Sequence, residues 1–232
     1  EITAGFAVVS DPSFGQREEL GFGEAYLTWL ELSGGQGLTD YTLRVSLAET
    51  DEDAEVWLDG SYLSFGGSPW SVSLGAKERH WSLSPNTSLI WSQNARPVPA
   101  LSIQRSSSPS DSFWFSDWSG EIVLGTLVSQ TNNSKVQLFG ARLVVTPLPG
   151  LDVEFVRTAQ WGGEGRPGGF DAFWNMLIGN SNQGSGGTDP ANQLGGLGLS
   201  YRVPETIAPL RIYLQAIGED EAGGLPSCFM YL

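Results

Sequence analysis

The sequence is poor in the groups that build metal centres and disulfide frameworks. Of its 232 residues one is cysteine, Cys228, and one is histidine, His80. No internal disulfide can form, and no multi-histidine or cysteine-rich zinc site can be assembled. Positive charge is scarce too, with 12 Lys+Arg against 26 Asp+Glu for a formal net charge of −14. A protein that grips nucleic-acid phosphate is thereby excluded. No run of about 18 apolar residues offers a transmembrane helix, and no signal-peptide pattern opens the sequence. Charged residues make up 16% of the chain, below the usual quarter or so. These shortages still leave room for a membrane β-barrel, whose strands need only about 9–11 residues and are polar at alternate positions.

What is present is a period of two. Leu43, Val45 and Leu47 alternate with Thr42, Arg44 and Ser46; Leu197, Leu199 and Tyr201 with Gly198, Ser200 and Arg202; Leu210, Ile212 and Leu214 with Arg211, Tyr213 and Gln215. Each run reads as a strand with two unlike faces. Shorter alternations centre on Val72, Leu101, Ile122, Val136, Leu143 and Val153. Turn signals separate them, most clearly Pro147-Leu148-Pro149-Gly150, where prolines cannot donate to a ladder and glycine tolerates positive φ. The expected fold is all-β: one domain over residues 1–232, an antiparallel meander of about 10–12 strands.

Residues 162–193 break the pattern. A glycine-rich stretch leads into apolar residues at 170, 173, 174, 177 and 178, a helical spacing, and a polar glycine-rich run follows. The reading is a long loop carrying one short helix.

Two features favour a membrane barrel over a soluble sandwich. Trp29, Tyr41, Trp57, Trp70, Trp81, Trp91, Trp114, Trp118 and Trp161 lie near turn signals, as interfacial girdles would. Ten of the basic residues are arginine, and Arg44, Arg142, Arg202 and Arg211 take the parity opposite their apolar neighbours. In a barrel these four face the lumen, where carboxylates can pair with them. Arg105 and Arg157 fall on the apolar parity, which implies a bulge or a place beyond the hydrocarbon.

Gly163-Glu164-Gly165-Arg166-Pro167-Gly168 spells a dinucleotide motif, but no second parallel strand follows its helix, so no cofactor is expected. Glu154 or Asp171 with Glu164 spells a glycosidase carboxylate pair, but the sequence does not set the spacing that such chemistry needs. The loop cluster Arg157, Trp161, Glu164, Arg166, Asp171 and Trp174 suits binding better than catalysis. Indoles stack on sugar CH faces, guanidinium forks grip carboxylates, and carboxylates accept sugar hydroxyls.

The stretch Ser88-Leu89-Ile90-Trp91-Ser92-Gln93-Asn94-Ala95-Arg96-Pro97-Val98-Pro99, the run 157–167 (RTAQWGGEGRP) and Phe173-Trp174-Asn175-Met176-Leu177 resemble the capsule assembly proteins of the Wzi family. The resemblance runs from about residue 70 to the end. Where the family has Trp-Trp-Gly-Pro-Gly, this sequence has His80-Trp81-Ser82-Leu83-Ser84-Pro85. The resemblance implies part of an eighteen-strand barrel in the bacterial outer membrane, monomeric and surrounded by lipid, with 162–193 as an extracellular loop. It implies a nonenzymatic protein that binds capsular or extracellular polysaccharide and helps to attach it at the cell surface. The alternatives are a porin-like channel on the same architecture and a soluble β-fold glycan hydrolase or lyase.

Overall fold

The computed structural model describes residues 1–9, 25–50, 54–92, 96–109, 117–128, 135–163, 165–178, 191–222 and 225–231. The strands are β1 (Ile2–Val9), β2 (Ala25–Gln36), β3 (Thr39–Thr50), β4 (Ala54–Trp57), β5 (Tyr62–Gly67), β6 (Trp70–Gly75), β7 (Ala100–Pro109), β8 (Asp117–Val128), β9 (Lys135–Leu148), β10 (Leu151–Trp161), β11 (Ala191–Arg202), β12 (Arg211–Ala222) and β13 (Leu225–Tyr231). Helix α1 (Phe170–Leu177) lies between β10 and β11. Every strand pairs antiparallel with its neighbour in the chain, except that β3 pairs with both the short β4 and β5. The expected meander is present as a row of twelve strands plus β4. Among the described residues β1 and β13 each pair on one side only, and the sheet is not closed on itself.

Period two sorts the side chains into two faces because successive Cβ atoms point to opposite sides of a strand. One face carries an exposed apolar band that includes Leu43, Leu74, Ile103, Leu124, Phe155 and Leu199. The other carries Ser46, Ser73, Ser102, Glu121, Glu154, Ser200 and Gln215, most of them buried. Across this face at β8, β9, β10 and β12 lie the described residues of the irregular segment 76–99 (76–92 and 96–99), which leaves the sheet after β6 and returns to it at β7. The buried apolar cluster accordingly sits between segment and wall: Trp81 and Trp91 pack with Val98, Ala100, Val123, Leu138, Val156 and Ile217. Val136 and Leu138, read from the sequence as part of an apolar row, take the inner parity, and Leu138 belongs to this cluster.

Two glycines are demanded by geometry. Gly150 has φ 84 in the hairpin between β9 and β10 and accepts a 2.8 Å bond from the Arg202 amide. Thr146 donates to Asp152 across the same turn at 2.8 Å. Gly140 faces inward beneath the indoles, where a Cβ would stand 2.6 Å from Trp81 and 3.0 Å from Trp91. Its missing side chain sets how closely the segment approaches the wall.

Gly140→Ala is therefore expected to lower stability by about 1–3 kcal/mol through overpacking. Gly195→Ala, whose Cβ would meet one backbone oxygen at an ordinary 3.7 Å, is expected to leave stability within about 0.5 kcal/mol of the parent. Urea unfolding in lipid vesicles, followed by tryptophan fluorescence, checks the contrast.

Candidate functional site

The inner face is held together by two wall carboxylates and one wall amide. Glu121 on β8 accepts from Arg79 Nε at 2.8 Å and from Trp81 Nε1 at 3.1 Å, so a single side chain fixes both the charged and the aromatic part of the segment. Glu154 on β10 is fully buried; Arg142 Nε of β9 donates to it at 2.7 Å, and Arg142 Nη2 reaches on to the Ser82 carbonyl at 3.2 Å. Gln215 on β12 donates to the Trp81 carbonyl at 3.0 Å and to Glu154 at 3.3 Å, while its own carbonyl accepts from the Leu89 amide at 2.8 Å. Strands far apart in sequence thus grip one irregular segment by its backbone. Within the segment, Trp81 N donates to Trp91 O at 2.8 Å, and the two rings lie 4.8 Å apart. The Arg79 guanidinium sits 5.5 Å from the centroid of Trp91.

Arginines at the inner parity follow the same rule. Arg44 pairs with Glu78 at 3.6 Å and lies 5.0 Å over Trp29. Arg211 donates to Ser200 and Asp152, both at 2.6 Å. Arg202 shares the parity of Ser200, opposite Arg211 in register, and is exposed at the end of β11. Toward the short turns β2–β3 and β5–β6 the inner face opens into a polar cleft of about 660 Å³, walled by Asp40, Tyr62, Ser64, Lys77 and Gln104 among others. Lys77 bridges it, donating to Gln104 at 3.1 Å and lying 5.5 Å from the Tyr62 ring centroid.

The five described loop residues do not converge on one spot. Arg157 and Trp161 face the outer side of β10 and lie under α1. Both Arg157 terminal nitrogens are spent, Nη1 on the Leu177 carbonyl at 3.0 Å, and Nη2 on the Met176 carbonyl at 2.9 Å and the Gln193 amide oxygen at 2.6 Å. Trp161 is buried with Phe139, Ala159, Ala172 and Met176. Trp174 is exposed on the far side of α1, stacked on Phe170 at 6.5 Å and 17°. Arg166 and Asp171 are exposed, and Glu164 lies outside the described residues.

The aromatic girdle expected from the sequence is redistributed. Trp81 and Trp91 are interior, Trp29 and Trp57 take the inner parity of β2 and β4, and Trp114 lies outside the described residues. Tyr41, Trp70 and Trp118 remain at the outer surface, with Trp70 and Trp118 edge-to-face at 5.8 Å. Arg105 resolves its parity conflict at the register shift that follows it: its guanidinium lies 4.0 Å from the Trp118 ring centroid and donates to the Trp118 carbonyl. Sequence parity alone finds Glu121 and Glu154, each opposite in face to its apolar neighbours. It carries no signal that they would hold segment 76–99.

An antiparallel wall with an exposed apolar face and a buried polar one defines a membrane β-barrel protein. The chain shares its fold with a solved Escherichia coli structure, described as Wzi, an outer-membrane protein involved in group 1 capsule assembly and a carbohydrate-binding β-barrel, at a TM-score of 0.78 and 24% identity, covering 99% of this chain and 51% of that one. It is 33% identical over 166 residues to an uncharacterized 55.8 kDa protein in the cps region of Klebsiella pneumoniae, covering 69% of this chain and 33% of the relative. The model of the family described as capsule assembly protein Wzi matches residues 11–229. The chain belongs to the capsule assembly protein Wzi family. It spans about half of the solved relative and a third of the curated one.

Removing one partner of a buried, hydrogen-bonded ion pair leaves an uncompensated charge and costs about 3–5 kcal/mol. Glu154→Ala is expected to lose that much, and Arg142→Ala combined with it to lose less than the two single losses added. Denaturant titration of the four proteins in lipid measures this. Additive losses would mean that the pair does not act as a unit.

Proposed function

We propose that this chain forms the wall of a nonenzymatic binding protein that holds capsular or extracellular polysaccharide at the bacterial surface. The observation that carries the reading is the covering of the inner face by segment 76–99, pinned through Glu121, Glu154 and Gln215. A porin keeps a wet lumen for passage; here the lumen side of β8 to β12 is filled by side chains in contact. The inner-face carboxylates Glu121 and Glu154 are likewise engaged. Each accepts two hydrogen bonds from the segment or the wall, a use in holding the segment in place that supports a binding role. Family membership supplies the ligand class, and the solved relative is described as carbohydrate-binding.

The end of the wall that carries the long connection between β10 and β11 is the one we assign to the cell exterior, opposite the short turn at 147–150. Arg166 is exposed there and meets an acidic polymer. A charge-assisted contact of this kind contributes about 1.5–3 kcal/mol, and salt screens it over about 10 Å at 0.1 M.

Arg166→Ala is expected to weaken polymer retention by about 10- to 100-fold at low salt and to flatten its dependence on ionic strength, with barrel assembly unchanged. Binding of purified polysaccharide across a salt series, together with planar-bilayer conductance, decides. Parent-like retention at every salt concentration removes Arg166 from the site, and a steady open-channel current favours the porin reading.

A further inference from the structure

Helix α1 has two apolar sides, and only one is used by the fold. Ala172 and Met176 are buried against Phe139, Ala159 and Trp161 on the outer face of β9 and β10, and Phe173 lies 5.1 Å from Trp161 and 5.8 Å from Phe139. Arg157 holds the last carbonyls of the helix to the wall. The other side presents Phe170, Trp174 and Ile178, 74%, 51% and 54% exposed, spaced four apart so that they form one stripe. Asp171 and Asn175 form an exposed polar stripe beside it. Between α1 and the wall runs an apolar groove of about 950 Å³, lined by Leu74, Leu101, Leu124, Trp161, Phe170 and Phe173.

Position on the wall identifies what fills this groove. Leu74, Leu101 and Leu124 are members of the exposed apolar row of β6, β7 and β8, the row that faces hydrocarbon in an outer-membrane barrel. Trp70, Trp118 and Arg105 mark one edge of that band. Trp161 is level with Gln137, which is level with Thr126, about eight residues along β8 from Trp118. At ~3.4 Å per residue and a strand tilt of ~40° this is about 20 Å along the membrane normal, close to the ~25 Å of an apolar barrel band. The second aromatic girdle therefore falls at the level of α1.

We propose that α1 is a membrane-surface helix that supplies the second girdle, with Phe170, Trp174 and Ile178 in the boundary between headgroups and acyl chains and an acyl chain of a membrane lipid in the groove against β6–β8. The long loop then has two parts of different use. Its glycine-rich beginning with Arg166 stays in water, and its helix is clamped to the lipid side of the wall, so Trp174 contacts lipid and not sugar. This assignment stands independently of the polysaccharide reading, because it rests on the outer face alone. Helices lying in the interface bury their apolar side about 5–10 Å into that boundary.

The test places nitroxide labels on single cysteines at positions 170, 174 and 171 in a Cys228→Ser background, in the full protein reconstituted into lipid bilayers. All three positions are exposed, so the labels leave folding intact, and heat-dependent gel migration verifies the folded barrel. The expected result is an accessibility ratio of oxygen to a water-soluble nickel chelate several-fold higher at 170 and 174 than at 171, together with broadening of the 170 signal by lipids carrying a nitroxide on the acyl chain. Equal nickel accessibility at all three positions would place the stripe in water and overturn the proposal. Low accessibility to both reagents at 170 and 174 would mean that protein covers the stripe, which overturns it equally.

Discussion

Hydrocarbon offers no hydrogen bonds to a peptide, so every backbone group that crosses it must be paired within the protein. For a chain without a long apolar run the solution is a wall of antiparallel strands, and that wall imposes a two-residue period on everything else. A slip of one residue would exchange its faces and put Glu121 and Glu154 into lipid. Register is therefore fixed by the chemistry of both sides at once. The register shifts on β7 beyond Arg105 and along the β12–β13 pair fall toward strand ends, where the constraint relaxes.

The same constraint sends the polar inventory to the inner face, where a different problem arises. A carboxylate with no exposure, such as Glu154, is costly unless it is paired and hydrogen-bonded. The answer here is a segment without regular structure, whose own backbone also needs partners. Gln215 serves both directions with one amide, donating to the carbonyl of Trp81 and accepting from the amide of Leu89. Wall and segment satisfy each other, and the tryptophans beneath Gly140 supply the apolar burial that neither could provide alone. Such an arrangement makes the covered inner face a rigid support for the connections at its rim.

Much of this is legible in the sequence. Alternation gives the strands, Pro147 to Gly150 gives a hairpin, and the spacing at 170, 173, 174 and 177 gives α1, because these signals are local. The parity of Arg44, Arg142 and Arg211 is local as well, and all three lie on the inner side. Trp81 and Trp91 are misread as interfacial because a tryptophan near a turn looks alike whether it meets lipid or a covered inner face. The described residues of the loop cluster are not brought together, for a related reason. Arg157 and Trp161 are bound to the underside of α1 by contacts that no spacing encodes, while Trp174 one turn on points the other way.

The central claim is that segment 76–99 is a fixed part of the wall's inner face even though its described residues, 76–92 and 96–99, contain no strand or helix. Amide hydrogen exchange on the folded protein in lipid tests it most directly, since exposed irregular backbone exchanges without protection whereas backbone held by buried partners opens only with the structure around it. The amides of Trp81, which bonds to Trp91 O, and Leu89, which bonds to Gln215, should exchange as slowly as those of β9 and β10 and far more slowly than those of the exposed Glu205 and Thr206 in the connection at 203–210. Exchange of both at the rate of that connection would contradict the account.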